Sequence, residues 1–279
     1  MSLPALALVL LAAMLHASWN ALLKAVDDRA LILAAVSAAH AMLGLALVLF
    51  SPAPAPESWP YIATSTVLHY GYYILLFRAY RFGDLSQVYP ISRGMAPAVV
   101  ALASFVLIGE ILAPLGWTGL AAVSCGVALL AVQRGAVSAS RSTVAIAVAL
   151  GLLIAAYSVA DGIGVRHAGN PFGYMGWLFL LEFPVPLAIA ATRIRRGGRF
   201  SPKVVALGLF GGLCAVLAYG IVLYVKTIAP LGAVSAVRES SVIIAALIGV
   251  VAFHERPVAG RLVAAAIVAA GIALLALSG

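Results

Sequence analysis

Ten apolar stretches follow one another along this chain with few polar residues between them. That succession restricts the fold more than any motif does. The stretches run at about 3–24, 31–50, 60–81, 85–108, 113–133, 144–166, 171–192, 203–227, 231–253 and 257–277. Each is close to the ~20 residues that an α-helix needs to cross a ~30 Å hydrocarbon core. A backbone in lipid must satisfy its own polar groups, so it spans as a helix or in a closed barrel, and runs of this length are helices. Almost no chain remains for a soluble domain. Only 9% of residues are charged, against about 25% in soluble domains, and the mean hydropathy is +1.12. The expectation is an all-α integral membrane protein of ten transmembrane helices. No Lys or Arg precedes Lys24, so the first run lacks the basic start of a signal peptide and is expected to stay as helix 1.

The net charge of +8 would suit nucleic acid if it were gathered on one face, but it is spread over loops. Counting loops from the N-terminus, the odd ones hold most of the basic residues, including Arg29, Arg81, Arg134, Arg256 and the cluster from Arg193 to Lys203; the even ones hold Arg166 and Lys226. Basic loops stay in the cytoplasm, which predicts both termini on the outer, periplasmic side of a cell inner membrane. The Arg193–Lys203 cluster is expected to meet anionic lipid headgroups, so membrane lipid is a partner and nucleic acid is not. Cys125 and Cys214 fall inside spans and read as small packing residues. No H-E-x-x-H, G-x-S-x-G or Walker loop is present, and no Cys/His spacing suits a metal. The expectation is no enzyme, no catalytic residue, no cofactor and no metal.

The chain also aligns with itself. A shift of about 145 residues lays GVALLAV (126–132) on GIALLAL (271–277), Glu110 on Glu255, Arg81 on Lys226 and Arg93 on Arg238. A shift near about 138 lays LHASWNAL (15–22) on LIAAYSVA (153–160), placing Trp19 on Tyr157. Two five-helix repeats follow, residues 1–135 and 142–279. Five is odd, so the second must enter the membrane from the opposite face. Inverted repeats are a transporter signature, with the substrate held near the midplane between them. With Gly109-Glu110 and His254-Glu255 after the fourth helix of each half, each followed by an apolar run ending in G-x-A-L-L-A, the chain resembles the EamA-type drug/metabolite transporter superfamily. That resemblance implies helices around a central cavity, alternating access, and export or exchange of small metabolites, with amino-acid exporters prominent among bacterial members. One departure stands out. The four-helix multidrug relatives keep a glutamate in helix 1, where this chain has His16 and Asn20, which argues against exchange of protons for cationic drugs.

Ionisable groups at membrane depth are costly and usually face a protein interior or a watery cavity. Arg93 lies deep in helix 4, in the stretch YPISRGMAP (89–97), and Arg238 lies at the matching depth of helix 9. Residues three, four and seven apart share a helix face, so Tyr89 and Pro97 line up with Arg93, and Ser235 with Arg238. Glu239 follows about 100° further round. Trp19 and Asn20 on helix 1, His69 and Tyr72 on helix 3, Tyr157 and Asp161 on helix 6 and Tyr219 on helix 8 complete the candidate cavity. Pro90, Gly94 and Pro97 form a candidate hinge, with a static packing kink as its rival. The arginines have a rival role too, as structural ion-pair partners of Glu239, Glu182 or Asp161. His40 and His69 are packing residues or proton carriers. Glu110 and Glu255 are read as carboxylates favouring the N-termini of helices 5 and 10.

Arginine presents a planar fork suited to carboxylate or phosphate. A site with both signs suits a zwitterion, its carboxylate on arginine and its ammonium on a carboxylate or tyrosine face. The expected function is secondary transport of small metabolites, amino-acid export first. Small organic anions of phosphonate or phosphate-ester type are the alternative, followed by a lipid scramblase. Helices 5 and 10 are built from small residues that allow close approach, which is compatible with a functional monomer.

Overall fold

The computed structural model of the chain describes residues 1–24, 26, 28–82, 85–133, 140–244, 247 and 258–278. Its regular elements are all helical: α1 Leu3–Lys24, α2 Arg29–Phe50, α3 Trp59–Phe82, α4 Leu85–Ile108, α5 Pro114–Gln133, α6 Arg141–His167, α7 Pro171–Leu181, α8 Pro184–Arg195, α9 Pro202–Lys226, α10 Leu231–Arg238 and α11 Val258–Leu277, with a 3-10 turn at Pro56–Ser58. Among the described residues, eight segments are long and apolar enough to cross a membrane. One of them runs through α7 and α8 together. The helix α3 has 24 residues, length enough to cross, but Ser65, Thr66, His69 and a series of tyrosines dilute its apolar character.

Side-chain polarity is inverted relative to a soluble protein. Val67, Val106 and Phe210 are exposed, while Asp161, Lys226 and Glu239 are buried. An apolar exterior of this extent in contact with water would be a large aggregation-prone patch; in lipid it is the solvated face.

The helices α5 and α11 pack through glycine. A Cβ on Gly119 would meet the Gly271 carbonyl oxygen at 2.7 Å, and one on Gly271 would meet the Gly119 oxygen at 2.7 Å. Gly126 likewise sits against the Ala264 oxygen, 3.1 Å from where its Cβ would stand. Small residues bring the two backbones into dispersion contact where lipid offers no hydrophobic drive. A shift of about 145 residues exchanges the pair 119/271 with the pair 264/126, as a pseudo-twofold axis between two halves would.

Two expected spans are interrupted, and the candidate hinge stretch is not. The seventh breaks at Glu182-Phe183, because Pro184 and Pro186 supply no N–H to continue the α7 ladder. Tyr70 donates to the Leu181 carbonyl at the end of α7 at 2.5 Å, so one acceptor at the broken helix end is satisfied from α3. The ninth breaks without proline. There α10 ends at Arg238, and tight bonds from the Glu239 amide to Ala236 O at 3.0 Å and from the Val242 amide to Glu239 O at 2.9 Å carry the chain round. By contrast α4 stays helical through 90–97. Pro97 is buried, and a Cβ on Gly94 would make ordinary contact with Val127 Cγ1 at 3.5 Å.

Candidate functional site

Tyr157, near the middle of α6, is the hub of a cluster of rings and charges. His69 of α3 stacks on it with ring centroids 4.1 Å apart. Tyr72 and Tyr219 approach it edge-on at 5.9 Å and 6.2 Å. On the far side of Tyr219, the Arg238 guanidinium stands 5.3 Å from the ring centroid. Packing each ring against the next holds their faces in fixed orientations at low entropy cost.

The two arginines differ in environment. Arg93 Nε lies 2.9 Å from Glu239 Oε2, and both side chains are almost wholly buried. Arg238 is 9% exposed and, among the described residues, forms no ion pair with any carboxylate. Ser235, one turn before it on α10, is buried beside it in the sequence pattern of the helix. The side chains of Tyr89 and Pro90 lie outside the described residues, as do His254, Glu255 and Arg256.

The other buried charges have protein partners. Asp161 accepts from Tyr174 at 2.9 Å on Oδ1 and from Tyr219 on Oδ2. Lys226, which closes α9, donates to the Ser158 carbonyl at 2.9 Å. Glu182 accepts from Tyr73 at 3.1 Å and faces His69 and His40. Tyr174 and Ser158 carry no signal in the sequence, because each meets its partner across a helix boundary or between helices.

On α1, the Trp19 indole donates to His16 Nδ1 at 3.1 Å and the Asn20 amide to the His16 carbonyl at 2.7 Å. These are local bonds, and Trp19 packs with Leu23, Ile32 and Ala215 between α1, α2 and α9. His16 itself lies within the electrostatic reach of both arginines.

A second polar assembly ties the end of α4 to α6, α9 and α10. Gly109 adopts φ +66, a left-handed turn that closes α4 and aims Glu110 across to α10. Glu110 Oε2 accepts from the Leu231 amide at 2.6 Å, and Oε1 accepts from Arg166 at 3.0 Å. Arg166 also donates to the carbonyls of Lys226 and Ala229 at 2.7 Å and 2.9 Å. Glu110 therefore caps α10 of the other half instead of the adjacent α5. Pro230, at the α10 N-cap, has no side-chain acceptor for the first amides, and Glu110 supplies one.

Residues 141–277 match the model of the EamA-like transporter family. A solved crystal structure superposes on the chain with a TM-score of 0.76 at 20% identity, covering 99% of this chain and 98% of that one, which is a likeness of fold. No curated protein matches the chain.

Proposed function

Because this chain belongs, through residues 141–277, to the EamA-like transporter family, we propose that it carries small carboxylate-bearing metabolites, amino acids first, across the cell inner membrane by alternating access. The carrying observation is the contrast between the arginines: Glu239 engages Arg93, while Arg238, set against the Tyr219 ring, has no carboxylate partner among the described residues. A guanidinium held on an aromatic face keeps its fork free for a bidentate anion. In this reading Arg238 receives the substrate carboxylate. The ring faces of Tyr157 and Tyr219 receive an ammonium group through cation–π attraction, about 1 kcal/mol or more when desolvated.

The moving units are the halves 1–135 and 142–279, and both termini lie on the outer side. The Glu110–Arg166 assembly closes the outer end in this conformation, and the substrate reaches Arg238 when that end or the opposite one opens. A second reading, transport of small organic anions without an amino group, is favoured by one observation. The described carboxylates at this depth, Asp161, Glu182 and Glu239, are all buried against protein partners.

Counterflow in liposomes containing the purified protein separates the two. Labelled amino acids, organic phosphates and simple carboxylates are offered in turn. Saturable exchange of amino acids supports the first reading, and exchange restricted to the other two classes supports the second. Non-saturable leak of all three sinks both.

A further inference from the structure

Glu182 is one of the intramembrane charges that substrate binding does not use, and it faces two histidines. It stands at the break between α7 and α8 and is 2% exposed. The Tyr73 hydroxyl donates to Oε2 at 3.1 Å, His69 Nε2 lies 3.4 Å from Oε1, and His40 Nδ1 lies 3.7 Å from Oε2. His40 is buried and turns Nδ1 toward the Glu182 carboxylate. Among the described residues no set of three such side chains has metal-site geometry.

The far side of the His69 ring is the informative one. Its Nδ1 lies 2.9 Å from the Ser65 carbonyl oxygen and 3.2 Å from the Ser65 hydroxyl. A carbonyl only accepts, whereas a hydroxyl donates or accepts. Protonated Nδ1 therefore donates to the carbonyl, and unprotonated Nδ1 accepts from the hydroxyl. In both states Nε2 lies 3.4 Å from Glu182 Oε1. A histidine serving only to pack needs a partner for one state; this one is supplied for two.

We infer that His69 and Glu182, with His40 beside them, form a reversible proton-binding site whose occupancy is coupled to substrate movement. The ligand is one proton, taken up on His69 Nδ1 with the Glu182 carboxylate as counter-charge and His40 as a second imidazole facing that carboxylate. The inference rests on the transporter reading above. It uses α2, α3 and the α7–α8 break, not the helix-1 position of the four-helix relatives.

Other titratable groups around the pair are tyrosines: Tyr70 and Tyr73 on α3, Tyr157 on α6, Tyr174 on α7 and Tyr219 on α9. From α8 no charged side chain comes near, its arginines lying at the far end. No Lys or Arg of the described residues pairs with Glu182. His69 stacks on Tyr157 and meets Tyr219 edge-on at 6.0 Å. A charge arriving on the imidazole thus sits one ring away from Arg238, and substrate and proton alter each other's affinity reciprocally.

The test uses the full-length protein in liposomes under an imposed pH gradient of about one unit, with a mixture of labelled standard amino acids as the probe. With one proton per substrate, the wild type should accumulate its substrates about tenfold, since a unit of pH is a factor of ten in proton activity. Glu182→Gln should abolish accumulation while counterflow without a gradient stays within about twofold. Wild-type accumulation indifferent to the gradient, or equal accumulation by E182Q, overturns the inference.

If the wild type moves none of the probes, the substrate reading has failed and the proton site is judged by histidine NMR of the detergent-solubilised wild type. The His69 signal, assigned by its loss in H69Q, should respond to pH in the wild type and be displaced in E182Q. A ring locked in one state at every pH at which the protein stays folded overturns the inference.

Discussion

Arg93 Nε lies 2.9 Å from Glu239 Oε2, so the cation of α4 is neutralised by the residue that follows Arg238 at the end of α10. The pair ties the middle of α4 to the break at the end of α10. It also leaves the two equivalent arginines with different work.

Breaking that pair should cost stability. Removing one partner of a buried ion pair strands the other charge, at about 3–5 kcal/mol. Arg93→Ala and Glu239→Leu should each lower the melting temperature in detergent markedly, and the double variant should recover part of the loss. Arg238→Ala removes a cation–π contact of about 1 kcal/mol. It should melt near the wild type yet abolish substrate counterflow.

The assembly around Glu110 predicts a shift in access. Its ion pair is partly exposed, so its contribution is set at about 1 kcal/mol after solvent screening, roughly a fivefold change in a two-state equilibrium. Glu110→Ala should raise labelling of a single cysteine placed at Ala229 by an impermeant maleimide about fivefold, in a background with Cys125 and Cys214 replaced. Unchanged labelling would show that these bonds do not hold that end closed.

Glycine substitutions discriminate close packing from flexibility. Gly119→Ala and Gly271→Ala each force a Cβ to 2.7 Å from a carbonyl oxygen, and overpacking of this kind costs about 1–3 kcal/mol. Gly94→Ala has ordinary contact distances at 3.5 Å and beyond, so it should melt like the wild type. If Gly94 serves as a hinge, that variant loses transport while remaining folded.

Orientation has a direct measurement. Both termini are expected outside, so an alkaline phosphatase fused after residue 279 should be active in intact cells and a cytoplasmic reporter at the same point should be silent. The reverse pattern would place the odd loops outside.

Much of the fold was legible because lipid imposes a one-dimensional rule. A helix must be apolar for about 20 residues whatever its neighbours are, and the runs 31–50, 85–108, 113–133 and 203–227 coincide closely with α2, α4, α5 and α9. The polar residues at depth were legible for the same reason: each is a costly exception that stands out against its background. Their pairing was not. Glu239, Glu182 and Asp161 are all open to either arginine in the sequence, and only the packing of α4 against α10 gives Glu239 to Arg93. Asp161 and Tyr174 meet across the turn between α6 and α7, and Glu182 meets three side chains drawn from two other helices.

The backbone shows the same division. YPISRGMAP has two prolines and stays helical, while Arg238-Glu239 has none and breaks. Local propensity names where a helix can yield; neighbouring helices decide whether it does, by supplying or withholding partners for the freed groups. The succession and rough extent of the apolar spans and the rarity of intramembrane charge are legible from the residues alone, because those follow from the solvent each residue meets. Which charge stands paired and which stands open was decided by tertiary structure alone, because ion pairs and hydrogen bonds form over about 3 Å between helices whose relative rotation no single helix encodes.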